Sequence, residues 1–183
     1  MSVGARCLRA LAAGLALAAA PGAAGAHPMG NFSISHYTGI RLTEGGAEVH
    51  YVIDMAEIPT FQEVQEHGIV AEVGHPSLDR YVVGKIEALT RGLTVETNGR
   101  RLALQRVSTD VSVSPGAGGL PTLKLGARYR IALDRASSVH DVRYRDENFP
   151  DRVGWKEIVA REGRDVTLVS STAPTIDRSG GLS

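Results

Sequence analysis

From Asn31 to Leu42 the even positions Phe32, Ile34, Ile40 and Leu42 are apolar, and from Ala47 to Met55 the odd positions Val49, Tyr51, Ile53 and Met55 are. Alternation with period two marks half-buried strands. Glu44-Gly45-Gly46 stands between the two runs. A two-residue Gly45-Gly46 turn sets Leu42 opposite Val49, Ile40 opposite Tyr51 and His36 opposite Met55. Both apolar sets then share one face, whereas a three-residue turn would put them on opposite faces.

Further along, Pro59 to Glu66 predicts a short helix, with proline in its first turn and Gly68 beyond its end. Ser77 to Arg91 predicts a longer one. Leu78, Tyr81, Val82, Ile86 and Leu89 form one stripe, Ser77 is placed to cap the start and Gly92 to close the end. Asn98-Gly99 is the strongest turn signal, and its register sets Val95 against Leu102, Leu93 against Leu104 and Glu96 against Arg101. Apolar parity then flips between Leu104 and Val107, which predicts a bulge or bend near Gln105-Arg106. Pro115 to Pro121 reads as a glycine-rich loop. In the next strand Leu123, Leu125, Ala127, Tyr129, Ile131 and Leu133 alternate with Lys124, Arg128, Arg130 and Asp134, so one face is wet. Shorter strands are predicted near Val139–Tyr144, Trp155–Ala160 and Val166–Ser170, and residues 173–183 read as a flexible C-terminal tail. About eight strands joined by hairpins imply a mainly β fold: an antiparallel, immunoglobulin-like β-sandwich with one or two helices inserted after the second strand.

Residues 1–26 stand apart from this pattern. Arg6 and Arg9 precede an Ala/Leu/Gly stretch from Ala10 to Ala20, Pro21-Gly22 breaks it, and Ala24-Gly25-Ala26 follows. A basic start, a short apolar core and an Ala-x-Ala triplet are the parts of a secretory signal peptide. The domain to be exported, to the periplasmic or extracellular side, is then 27–172 with its tail. The leader carries two of the 20 basic residues and none of the 20 acidic ones, leaving 18 against 20. That balance argues against nucleic acid as a partner, because phosphate binding needs surplus positive charge. The one cysteine, Cys7, lies in the leader, so disulfides and thiolate metal sites are excluded from the mature domain. No later stretch is apolar for long enough to span a bilayer as a helix.

Chemistry-bearing residues are few. Phosphate-loop, nucleophile-elbow and zinc-protease motifs are missing. His36, His50 and Asp54 tempt as a cluster, but the hairpin register puts His36 on the apolar face and the other two on the opposite face. His36 then reads as half-buried and His50 as solvated. His67 and His75 flank a loop, and His140 reads as a core or edge histidine. Asp54, Glu57, Asp146, Glu147 and Asp151 read as solvated carboxylates. Phe149 and Trp155 read as core residues at a loop closure. The remaining candidate is His27. Cleavage after Ala26 makes it the first mature residue, where its amine and imidazole Nδ1 together can chelate a divalent transition metal such as nickel, cobalt or copper. Pro28 has no backbone N–H to give up, so the chelate stops at two nitrogens.

Three segments carry a resemblance. His27-Pro28-Met29-Gly30-Asn31-Phe32, then Tyr51 to Glu63 (YVIDMAEIPTFQE), then Pro150 to Val159 (PDRVGWKEIV), are similar to the exported N-terminal region of bacterial NicO-type nickel/cobalt transporters. The resemblance runs from His27 to about Asp177. It implies an extracytoplasmic domain that works with a multi-helix membrane domain moving nickel or cobalt. Such helices are not present up to Ser183, so the membrane domain is expected to be encoded separately or lost by truncation. The Asp/Gly-rich acidic loop expected of that family after Pro-Thr-Phe-Gln-Glu is replaced by Glu66-His67-Gly68-Ile69-Val70, so no calcium site is carried over. Two other readings stand beside this one: a structural or partner-docking exported domain without a metal site, and a copper-dependent oxidase using the terminal histidine.

Overall fold

The computed structural model describes residues 31–134 and 137–182. Chain order is β1 (Ile34–Thr43), β2 (Gly46–Met55), α1 (Glu57–His67), α2 (Pro76–Arg91), β3 (Leu93–Thr97), β4 (Arg100–Arg101), β5 (Gln105–Pro115), β6 (Pro121–Ala132), β7 (Val142–Asp146) and β8 (Lys156–Arg161). Five strands form one sheet in the order β5-β6-β2-β1-β8, and three form another in the order β4-β3-β7. Among the described residues the fold is mainly β, two sheets with two α-helices inserted after the second strand. One pairing is not antiparallel: β8 runs parallel to β1.

The first hairpin keeps the expected faces but slides by two residues. Ile40 faces Val49, His36 faces Ile53 and Ile34 faces Met55, so the turn residues are Glu44 and Gly45, not Gly45 and Gly46. Gly45 supplies the positive φ of 78°. Gly46 belongs to β2, where a Cβ would lie 2.2 Å from the Ile131 carbonyl oxygen of β6. At the second hairpin the expected register holds beside the turn, with Glu96 opposite Arg101 and the Leu102 N–H donating to Val95 O, but β4 ends at Arg101, so the expected Leu93–Leu104 pair does not join the ladder. Asn98 and Gly99 both take positive φ, 50° and 77°, as a type I′ turn requires. The parity flip has two causes. The chain leaves the small sheet after Arg101 and joins the large one at Gln105, and the β5–β6 register then shifts between Arg106 and Ser108. The expected strand at Val166–Ser170 does not form; that stretch is irregular.

Both helices fall where the pattern put them. Gly68 closes α1 at φ 60°. The cap of α2 is His75, not Ser77: its Nδ1 accepts the Ser77 N–H at 3.3 Å. Gly92 does not take the left-handed form (φ −80°). It is held to glycine by space instead, since a Cβ there would come within 2.2 Å of Asn148 Oδ1.

The core lies on the inner face of the large sheet. Ile34, Ile40, Val49, Tyr51, Ile53, Met55, Leu123, Leu125 and Tyr129 pack there against Leu78, Val82, Ile86 and Leu89 of α2 and against Leu93 and Val95 of β3. Burial of these fifteen side chains, each contributing roughly 1.5–3 kcal/mol, stabilises this layer in the absence of any disulfide. On the outer face the C-terminal segment departs from the expected loose tail. The Ala160 N–H donates to Pro174 O, the Arg178 and Ser179 N–H groups donate to Glu157, and the Tyr37 hydroxyl donates to Asp177 at 3.0 Å. Leu182 packs against Tyr37, Val52 and Val159. Polar composition hid this anchoring, because the tail is fixed by backbone N–H groups, the Asp177 carboxylate and one leucine. Burial first, and then the bond to Asp177 and its charge, push the Tyr37 phenol up to about 12.

Candidate functional site

The start of the described chain, Asn31 to His36, is bonded both to the Tyr51–Glu63 segment and to the Pro150–Val159 segment. The Ile58 N–H donates to Asn31 O, tying the end of the first segment to the start of α1, and the Ala56 N–H donates to Ser33 O just after it. The Ile34 and His36 N–H groups of β1 donate to Val153 O and Trp155 O, tying the strand that follows to the third segment. Gly154 sits between those carbonyls, where a Cβ would lie 1.9 Å from Ile34 O. Glu57 closes the junction. Its carboxylate accepts the Asn31 N–H at 3.2 Å and the Ala117 N–H at 2.7 Å, so it is buried and bonded, not solvated as its type suggested. Gly116 lets the loop come that close, since a Cβ would lie 2.6 Å from Glu57 Cγ. The Ala117 N–H first, with those of Glu57 and Asn31, holds this carboxyl below its ordinary range.

Around the junction, Trp155 is 54% and Phe32 50% exposed. Trp155 is thus not the core residue its size suggested; Phe149 does pack against the core. Glu63, which ends the second segment, binds α1 to α2: it accepts from Tyr81 Oη at 2.6 Å, pairs with Lys85 and lies 3.3 Å from His67 Nε2. Burial and Glu63 push the Tyr81 phenol far up.

A second polar group is sealed inside, and its partners were not apparent from the sequence. The His36 Nδ1–H donates to Asp146 Oδ2 at 2.6 Å, with 4% and 1% of the two side chains exposed. Asp146 also accepts the Asn148 N–H at 2.9 Å and the Tyr51 hydroxyl at 3.3 Å, and Lys156 Nζ lies 3.7 Å away. Burial alone would raise the Asp146 carboxyl. The bonds from His36 and Asn148, with the charges of His36 and Lys156, reverse this and hold it below the ordinary range. Tyr51 is pushed far up by burial first and by Asp146 next. Thr38 and Tyr144 extend the group with a 2.9 Å hydroxyl pair. This is a bonded link between the sheets, since His36 belongs to β1 and Asp146 to β7.

The other expected residues stay apart. His50 and Asp54 lie on the outer face, as the register implied; Asp54 is half-buried with Lys124 Nζ at 3.7 Å, and burial pushes its carboxyl up against that lysine. His140 precedes β7, and its Nδ1 is buried without a partner. His27 lies outside the described residues. Among the described residues no three His, Cys, Asp or Glu side chains group closely enough to hold a metal ion, and no helix is long and apolar enough to cross a membrane. No known protein family matches the chain, and neither a curated protein nor a solved structure is significantly similar to it.

Proposed function

We propose that the chain is an exported, non-catalytic module that works beside a nickel or cobalt transporter on the extracytoplasmic side, its metal contact being the amino-terminal His27. The observation that carries this reading is the junction just described. Of the three segments that resemble the transporter domain, the first reaches the second through Asn31, and the residues that follow it, Ser33, Ile34 and His36, are bonded to the second and the third. An enzymatic reading has less support. The acid–base pair His36–Asp146 is closed to any substrate by its burial, and His50 lies on the opposite face of the sheet, where it cannot join His36 at one copper ion.

The test is titration of nickel, cobalt and copper(II) into protein beginning at His27, beside the same protein with one added Gly before it. Metal must displace a proton from the amine, whose reference pKa is about 7.7–8.0, so affinity is expected to fall with pH. Copper(II) is expected to bind more tightly than nickel or cobalt. The added glycine moves the amine away and is expected to weaken binding at least about tenfold. Equal affinities for the two forms, or none for either, overturn the metal assignment.

A further inference from the structure

The outer face of the large sheet holds an open cleft of about 350 Å³. It is walled by Arg41, Arg128, Arg130 and Arg161, with Glu48 as its one acidic lining residue. The register explains the clustering. One row across the sheet runs Arg161, Arg41, Glu48, Arg130, and the next runs Val159, Gly39, His50, Arg128. Arg161 and Arg41 are direct cross-strand partners, a like-charge placement that costs stability. Gly39 keeps the floor low: Tyr37 lies along its own strand over it, so that a Cβ there would come within 2.7 Å of the phenol oxygen.

Two of the four arginines are already engaged. Arg41 pairs with Glu48, and Arg161 lies 3.7 Å from Asp177 and donates to Thr175 O at 3.0 Å. Arg128 and Arg130 are exposed and make no ion pair among the described residues. They alternate on one face of β6, so their stems stand about 7 Å apart. His50, across the sheet from Arg128, reports the local field: burial first and then Arg128 push its imidazole below the ordinary value, and Asp110 only partly offsets them.

We infer that this cleft binds a small polycarboxylate, with Arg128 and Arg130 each taking one carboxylate. Arginine forks match carboxylates two bonds at a time. Two forks at that spacing suit two carboxylates on a short carbon frame better than one compact phosphate. The concavity suits a small molecule better than a flat anionic surface. This site is independent of His27 and of the metal reading above.

Calorimetric titration of citrate into the protein, in buffer freed of metal by chelating resin and at fixed ionic strength, tests it. Parallel titrations use inorganic phosphate and vesicles containing an anionic lipid. Citrate is expected to bind with a dissociation constant on the order of 0.1–1 mM, and phosphate and vesicles at least about tenfold more weakly. Arg128→Ala/Arg130→Ala is expected to weaken citrate at least about tenfold, because each charge-assisted pair lost is worth roughly that factor or more. Arg91→Ala/Arg143→Ala, which removes two exposed arginines elsewhere, is expected to leave it unchanged. Arg128→Lys/Arg130→Lys keeps the charge, folds without a new cavity, and is expected to fall between. Absence of citrate binding, equal binding by phosphate or vesicles, or equal loss in the control variant each overturns the assignment.

Discussion

The first hairpin carries one histidine to each face of the large sheet, and the two faces treat them oppositely. On the inner face His36 is 3% exposed and spends its Nδ1–H on a carboxylate buried with it. On the outer face His50 is half-buried, touches Tyr37 edge-on at 6.0 Å between ring centroids, and has arginine for a neighbour. The inner face consumes its polar groups within the protein, so they serve cohesion. The outer face leaves Arg128 and Arg130 without an ion pair among the described residues, so it is the face with something to offer a ligand. Strand alternation alone produces this division, and the same residue type ends up with two unrelated duties.

The contrast is most sharply tested by removing Asp146. Asp146→Ala leaves His36, Tyr51 and the Asn148 N–H without their shared acceptor, and breaking a buried pair from one side costs about 3–5 kcal/mol. Chemical denaturation is expected to read a loss of that size; a loss under about 1 kcal/mol would mean that the inner face does not depend on the pair. Acid works on the same group. Its folded pKa lies below the ordinary value, so its stabilisation is complete above the unfolded-state pKa of about 3.9 and is lost as pH falls through the folded value. Little change is expected from this group between pH 7 and 5, followed by a declining midpoint below about pH 4. Glu57, Glu157 and Asp177 act with the same sign, so the comparison that isolates Asp146 is wild type against Asp146→Asn, whose decline is expected to be shallower.

Smaller effects are expected outside. Leu182→Ala removes the chain-end contact with Tyr37, Val52 and Val159, and for a partly exposed leucine a cost of about 1 kcal/mol is expected, read by the same denaturation. His50→Ala is expected to change stability by no more than about 0.5 kcal/mol. A cost near that of Asp146→Ala would erase the difference between the faces.

Much of this was legible where the signal is local. Asn98-Gly99 set its own register because both residues must take positive φ, and the division of His36 from His50 followed from parity alone. The hairpin slide was not legible, since it depends on β6: Gly46 is needed where Ile131 O approaches, and no turn rule contains a third strand. Likewise Asp146 read as a solvated carboxylate because its partner His36 is 110 residues away. Glu57 was misread for a related reason, as its acceptor role depends on the Ala117 loop 60 residues on. Sequence spacing identifies which face a residue occupies; it does not say which distant element will cover that face.

The parallel pairing of β8 with β1 also bears on the order in which the chain is made. Ser35 and Trp155, bonded across that edge, are 120 residues apart. A chain synthesised from its amino terminus forms the β1–β2 hairpin early, then carries β1 with one open edge until nearly everything else has emerged. Pairings between such distant segments are slow to close, and an unpaired strand edge is an invitation to aggregate in the interval. Gly39 and the charged Arg41 lie on β1 during that wait, and a charge on an open strand is a known deterrent to wrong pairing. The arginine row of the cleft thus has an earlier role available to it, as a guard on the strand that must wait longest for its neighbour.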